Sequence, residues 1–363
     1  MASVPPPSKK IRRFHHKSRY GCFLCKQRRI KVVFTVLGGF SIWREALPEL
    51  AGSFPFIGHG LLSVAYIHMA SLSSTTSRSL LAESAFHVDQ ALPQYLEVIK
   101  NINKDNIAAL FGFAMFINVI TMENVSEECG ALLQVARNVP SKRPETIKRL
   151  AMHAARAIHG QQGIFSIFSR FQRWISNSLL YPAVQRHGAP MLREPTTSWI
   201  SVEDGRLARL SLLWEKNPAV PAAESQALCA ALNSLRATFA VVTQLTVPAP
   251  AHAGHEVPCR IEPAAVELEE IHKRLSAGRL DDAPSVFTWF ILIPRDFDRM
   301  MEEGNMYAMV VLAHYAILLD RACSGLWWIH QLPHRYVAMA ELVLGKERRE
   351  WIDWPLAVVR PWR

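Results

Sequence analysis

Residues 305–355, "NMYAMVVLAHYAILLDRACSGLWWIHQLPHRYVAMAELVLGKERREWIDWP", decide the fold class of this protein. Asn305 can cap a helix over about residues 305–319, and apolar side chains surround that helix on every face. Such a helix is typical of a protein core, because a surface helix would carry one polar face. An aromatic turn follows, then a second helix over about residues 334–344. The segment therefore predicts an all-α domain built around a buried helix.

The chain upstream of this segment also has helical spacing. Apolar residues recur at helical intervals over residues 54–72 and again over 73–102, where Pro93 is predicted to kink or interrupt the helix. The segment "NKDNIAALFGFAMFINVITMEN", residues 103–124, offers an Asp or Asn cap to an apolar helix of about fifteen residues. A bilayer-spanning helix needs about twenty residues, so we predict a buried core helix here.

Weaker patterns complete a multi-helix bundle over residues 45–363. They lie at about residues 144–158, 163–182, 204–214 and 223–245. Four prolines and a glycine in residues 246–263 predict a loop break. His252, His255 and Cys259 fall in that loop, and we interpret them as plain loop residues because an Ala- and Pro-rich loop gives a metal no rigid frame.

The formal net charge of +10 is concentrated at the amino terminus. Residues 1–44 contain eleven Lys or Arg and no acid, whereas the remainder has 30 basic and 31 acidic residues. A disordered basic tail on an almost neutral body predicts a polyanionic partner: nucleic acid, an anionic membrane surface or the nuclear import machinery. Charge alone is also consistent with a solvated extension that has no specific partner.

An apolar run inside this basic region is too short to cross a membrane. "VVFTVLGGFSIW", residues 32–43, is interrupted by a Gly pair and falls short of the roughly twenty residues that span a bilayer. We therefore predict no membrane span. A membrane anchor built from residues 9–43 stays open as an alternative, and retention in the membrane pellet after a high-salt wash would reveal it.

The cysteines indicate a reducing compartment and one metal-binding candidate. Of the six cysteines, only Cys22 and Cys25 form a close pair. Two thiolates at this spacing can chelate a tetrahedral zinc ion, and neighbouring Lys and Arg lower thiol pKa values. A thioredoxin-like redox pair is the competing interpretation, but that pair opens a helix after a strand, whereas this one follows a Pro- and Lys-rich tail.

The residues around this pair resemble a known family. "KSRYGCFLCKQRRIK", residues 17–31, is similar to the opening of the fungal binuclear zinc-cluster transcription factors, in which six cysteines hold two zinc ions and a short basic helix enters the major groove. The resemblance implies that Cys22 and Cys25 are the first two zinc ligands. It also implies DNA contacts by Lys26, Arg28, Arg29 and Lys31, with the two arginines at base edges and the two lysines near phosphates.

The sequence departs from the family pattern immediately after this segment. Val32 stands where the third cysteine is expected, and no further cysteine occurs before Cys129, so four of six ligands are absent. Because such modules fold only around their metal, we expect that this truncated finger does not form the binuclear zinc cluster. His15 and His16 could complete a mononuclear site. A splice variant or gene-model error is a further hypothesis, and sequencing the transcript across the Lys31 codon tests it.

The helical body resembles the C-terminal regulatory domain of the same regulators, in the branch of the sterol uptake control proteins. "VVLAHYAILL" (310–319), "LWWI" (326–329) and "WIDWP" (351–355) carry the resemblance, with "HGLLSVAYIHMA" (59–70) and "YLEVIKNINKDNIAALFGFA" (95–114) upstream. It implies an all-α bundle that holds a lipophilic molecule such as a sterol. The pocket candidates are Phe113, Phe116, Met309, His314, Trp327 and Trp328.

These resemblances lead to a functional expectation with one alternative. We expect a nuclear transcriptional regulator of RNA polymerase II genes that binds promoter DNA, with a homodimer as one assembly. The alternative is a regulatory-domain protein that binds a lipophilic ligand or partner without reading DNA. No enzyme is expected, because the sequence lacks nucleophile-elbow, metalloprotease and phosphate-loop motifs and has no paired carboxylates in an apolar helix.

Overall fold

The structure is a computed structural model, and it describes residues 45–73, 76–181, 198–247, 265–280, 282–323 and 326–359. Its amino-terminal half forms long helices connected by short turns. They are α1 (Leu47–Ser53), α2 (Pro55–Leu72), α3 (Ser77–Val98), α4 (Ile107–Asn138) and α5 (Arg143–Ile175). Helices α2 and α3 form one antiparallel pair and α4 and α5 another, and α2 packs against α4.

The carboxyl-terminal half is built from shorter helices around one central helix. Its helices are α6 (Ser198–Ala208), α7 (Leu212–Glu215), α8 (Ala222–Leu245), α9 (Ala265–Ser276), α10 (Thr288–Leu292), α11 (Arg295–Glu302), α12 (Met306–Ala322), α13 (Leu332–Leu344) and α14 (Asp353–Val358). Short 3-10 turns at Ala283–Phe287, Trp327–Ile329 and Arg349–Ile352 connect several of them. The described part is thus all-α apart from one minimal strand pair, as predicted.

Helix α12 is the centre of the bundle. The Asn305 side chain accepts hydrogen bonds from the backbone N–H groups of Tyr307 and Ala308 at 2.9 and 3.4 Å, which is the capping role predicted for it. Helices α8, α9, α11, α13 and α14 all pack against α12. The helix continues to Ala322, past the predicted end at residue 319, because the charged residues at its end are buried together with their partners.

Helix α4 joins the two halves. It contacts α2 and α5 on one side and α13 and the Trp327–Ile329 turn on the other, so the apolar residues of both halves form one continuous core. It has 32 residues, about twice the predicted length, because its second half buries Val125, Cys129 and Leu132 at helical spacing. The predicted side-chain cap is absent: Asn106 accepts from the Asn103 N–H at 2.9 Å and does not cap the helix.

Several predicted boundaries are wrong. Helix α3 runs through Pro93 to Val98, because the proline ring is exposed and its neighbours still pack on the adjacent helices. The break expected between helices at 144–158 and 163–182 is instead a kink within α5 at Phe171, whose φ and ψ of −116° and 19° are non-helical. The start of the predicted loop is a strand, Thr246–Val247, that pairs antiparallel with Arg279–Leu280.

Candidate functional site

The predicted zinc and DNA-contacting residues cannot be placed. Cys22, Cys25, Lys26, Arg28, Arg29 and Lys31 all lie outside the described residues, as do His252, His255 and Cys259. Across the ranges between residues 45 and 359 that the structure describes, no group of three or more His, Cys, Asp or Glu side chains is arranged to hold a metal ion.

Aromatic side chains cluster where α2, α4 and the Trp327–Ile329 turn meet, and we call this cluster the aromatic junction. Phe113 of α4 packs edge-on against Phe56 of α2, with ring centroids 5.5 Å apart. A Cβ at Gly60 would lie 2.4 Å from Phe116, so glycine is required for α2 to approach α4 this closely. The junction therefore depends on a small residue in α2 facing two large rings in α4.

The Trp327–Ile329 turn forms the other wall of the aromatic junction. The Trp327 ring lies 4.7 Å from the ring of His68 in α2 and packs edge-on against Trp328 at 5.9 Å. Both tryptophans are buried, and neither indole N–H donates a hydrogen bond to a described residue. Buried donors without acceptors are costly, so an oxygen acceptor placed at either N–H group would be stabilised.

Neutral histidines and an inert thiol accompany these rings. Burial lowers the pKa of His68, and His330 lowers it further. The His330 ring is 2.8 Å from the carbonyl oxygen of Cys323, and burial lowers the pKa of His330 too. Burial raises the pKa of Cys323 well above its ordinary value, so this thiol is not a nucleophile. The junction is apolar, uncharged at neutral pH and unsuited to acid–base or covalent chemistry.

The other two pocket candidates lie along α12. His314 Nδ1 is 2.8 Å from the carbonyl oxygen of Val310, and its ring packs edge-on against Trp354 of α14 at 5.9 Å. Burial lowers the pKa of His314 to about 4, so the ring is neutral. Met309 is fully buried in the same helix. The structure thus places Phe113, Phe116, Trp327 and Trp328 around the junction, while the contacts of His314 are on the α14 side.

A buried charge cluster escaped the sequence interpretation. Arg321 of α12 forms an ion pair with Glu203 of α6, and both side chains are about 1% exposed. Thr243 of α8 donates to Glu203 at 2.8 Å and accepts from Arg321 at 3.3 Å. The cluster ties three helices together. The adjacent acid and base at the end of an otherwise apolar helix, Asp320 and Arg321, were the available signal.

Next to this cluster, a Ser–His–Asp group lacks the geometry of a catalytic triad. Ser276 Oγ lies 3.0 Å and Asp320 Oδ2 2.9 Å from the same atom, His272 Nε2. A triad needs the serine and the acid on opposite ring nitrogens, and here Nδ1 bonds no described residue. Burial lowers the pKa of His272 although the bond to Asp320 opposes this. These residues therefore add to the packing of α9 on α12.

A histidine pair on α2 and α3 also had no sequence signal. His59 Nδ1 and His87 Nδ1 are 2.9 Å apart, and Tyr66 stacks on the His87 ring at 5.6 Å. One imidazole donates to the other, so the pair links the two helices.

Two described helices are long and apolar enough to cross a membrane. They are Ile107–Asn138 and Ala222–Leu245, and 78% and 44% of their most apolar windows are buried within the bundle. The 78% burial of Ile107–Asn138 agrees with the core helix that the sequence predicts within residues 103–124.

The comparisons with known proteins give one partial match. Over 113 residues, which is 31% of this chain, the sequence is 28% identical to sterol uptake control protein 2 of Saccharomyces cerevisiae (strain ATCC 204508 / S288c). The match covers 11% of that protein. No protein-family model matches the chain, and no solved structure does. The chain is therefore similar, over part of its length, to a small part of a sterol uptake control protein.

Proposed function

We propose that this protein is a nuclear transcriptional regulator whose helical body responds to a lipophilic ligand such as a sterol. The observation that carries the proposal is the partial match to a sterol uptake control protein. Residues 17–31, which resemble the start of a zinc cluster, support the regulatory role. The aromatic junction supports the ligand class, because a sterol has a rigid apolar body and one hydroxyl, and the buried Trp327 and Trp328 indoles are donors without described acceptors.

A fluorescent sterol titration tests the ligand half of the proposal. Energy transfer from tryptophan to dehydroergosterol should saturate with the full chain, and the substitutions Trp327→Phe and Trp328→Phe together should weaken binding about tenfold, since each removes a buried donor. Trp354→Phe is the matched control, because Trp354 is also buried and its N–H has no acceptor among the described residues, but it lies on α14. Absence of saturable binding by the unsubstituted chain would refute the sterol assignment.

Zinc content and DNA affinity across a salt series distinguish the two regulatory hypotheses. Bound zinc with a sequence preference that survives raised salt would support a working finger at Cys22 and Cys25. Absence of zinc, with DNA binding that loses all sequence preference as salt rises, would favour the alternative of a ligand-binding regulatory domain that does not read DNA specifically.

A further inference from the structure

The closed end of the α4–α5 hairpin carries a cluster of positive charges that the proposed function does not use. Residues 137–145 are all exposed, so this end projects from the bundle. The cationic side chains of residues 137–149, which we call the cationic tip, are Arg137, Lys142, Arg143, Lys148 and Arg149. The same segment contains one acid, Glu145. This concentration of charge is unusual for a body whose basic and acidic residues nearly balance.

The tip is a rigid platform rather than a loose loop. The Val139 N–H donates to the Val135 carbonyl at 2.9 Å and closes α4, and the Thr146 hydroxyl donates to the Lys142 carbonyl at 2.8 Å in the first turn of α5. Thr146 and Leu150 are buried, whereas Lys148 and its neighbour in sequence are exposed. The inward side chains therefore hold the basic ones outward.

The positive charges at the tip are not neutralised by the described acids. None of the five basic side chains forms an ion pair within the described ranges. On α4, Glu127 pairs with Arg335 at 2.9 Å, and Glu128 pairs with His153 at 2.8 Å. The pKa of His334 is lowered by burial and then by the charges of Arg137 and Arg335. An uncompensated positive field therefore surrounds this end of the hairpin.

We propose that the cationic tip binds the phosphate backbone of duplex nucleic acid. The supporting observation is charge complementarity between five cations and a polyanion. Lys, Arg, Ser and Asn are residue types that contact phosphates in protein–DNA complexes, and exposed Asn138 and Ser141 accompany the five cations. Arg143 and Arg149 are separated by about 9 Å along the helix axis. That length covers two or three base pairs at about 3.4 Å each, so neighbouring phosphates are within reach.

The shape and composition of the tip disfavour other anionic partners. A membrane-inserting surface needs several large apolar or aromatic side chains, whereas residues 137–149 contain no aromatic residue and no leucine, and Val139 is the large apolar side chain among them that is exposed. An acidic peptide helix needs an apolar groove, whereas the tip is a projection. Duplex nucleic acid needs neither feature. The proposed contact of the cationic tip with duplex phosphates needs neither zinc, nor the motif of residues 17–31, nor sterol binding. It does not depend on the base sequence of the duplex.

The test is the salt dependence of binding of the full chain to a short duplex, measured by fluorescence anisotropy. Arg143→Gln, Lys148→Gln and Arg149→Gln together should lower the slope of log affinity against log salt by about 3, because each phosphate contact contributes about 0.9. The control is Arg78→Gln, Lys104→Gln and Lys216→Gln, which removes the same charge from exposed residues elsewhere. That control should keep the slope of the unsubstituted chain.

An unchanged slope in the tip variant, or an equal loss in the control, overturns the proposal. The proposal would also be overturned if the tip variant no longer sedimented with phosphatidylserine vesicles while its duplex slope stayed unchanged. That result would indicate a membrane surface as the partner. A second measurement needs no substitution: bound duplex should protect Lys142 and Lys148 from acetylation while Lys104 and Lys216 react as before. Equal reactivity of all four lysines with and without duplex would contradict the inference.

Discussion

Helices α12 and α3 are held in the fold in opposite ways. Fifteen of the seventeen residues of α12 are buried, and its buried Arg321 forms an ion pair with Glu203 of another helix. Helix α3 has 22 residues, of which only Ser84 and Ala91 are fully buried. Its amino-terminal part contacts α2 through a serine pair and a histidine pair. The contrast shows that one helix can be buried on every side while another packs along one face and stays exposed on the other.

The largest predicted effect concerns the buried charge of α12. Arg321→Ala leaves Glu203 buried and unpaired, and should lower the free energy of unfolding by about 3–5 kcal/mol in urea titrations. Replacing both partners with apolar residues, Arg321→Met with Glu203→Leu, should recover most of the loss, since no buried charge remains. If the single variant were as stable as the parent, the pair would not stabilise α12.

A second prediction extends the comparison to α2, which packs against α3 and α4. Gly60→Ala places a Cβ 2.4 Å from Phe116 and should lower the free energy of unfolding by about 1–3 kcal/mol, because the α4 rings must shift. Gly52→Ala is the control, since nothing lies within 4 Å of its added Cβ, and that variant should be neutral or slightly stabilised. Equal effects at the two glycines would show that α2 does not approach α4 closely.

As the pH falls, the stability contributed by the buried His314 of α12 should decrease before exposed carboxylates become protonated. His314 has a folded-state pKa of about 4, below its ordinary value of 6.5, so the unfolded chain binds its proton first as the pH falls. Stability from this residue is complete above pH 6.5 and should be reduced by up to about 2 kcal/mol at pH 5. Urea titrations from pH 7.5 to 5 measure the decline, and His314→Phe should reduce it. An equally steep decline in that variant would assign the effect to other histidines.

The smallest predicted effect is in α3. Ser84→Ala removes one partner of the buried hydrogen bond between Ser63 and Ser84, 2.7 Å long, and should cost about 1 kcal/mol because Ser63 is left unpaired. Ser63→Ala with Ser84→Ala should cost less, since neither hydroxyl remains. Hydrogen exchange of α3 amides is the sharper measurement: faster exchange in α3 with unchanged exchange in α12 would confirm that α3 opens separately.

Periodicity and capping predicted much of this fold. The start of α12 after Asn305 follows from local capping chemistry and its burial from apolar composition, so both features were accessible from sequence. The length of α4 was not, because its second half mixes buried and polar residues. The strand pair between Thr246 and Leu280 also needed partners far apart in the chain.

The candidate site also has features that the sequence predicted and features that it did not. Large apolar residues marked Phe113, Phe116, Trp327 and Trp328 as pocket candidates, and the structure places them around one junction of helices. His314 has the same apolar surroundings in the sequence, but its ring faces α14. The direction in which a buried side chain points depends on which helices pack against its own helix. A single sequence does not show those contacts directly.

The amino-acid sequence by itself determined that the body is helical, that α12 is buried and that the positive charge is concentrated at the amino terminus. Tertiary structure alone decided that Arg321 meets Glu203, that His59 meets His87 and that the basic residues of 137–149 project without acidic partners among the described residues. The physical reason is range: periodicity and capping act within a few residues of the chain. Charge pairing and desolvation depend on groups that come together only when the helices pack.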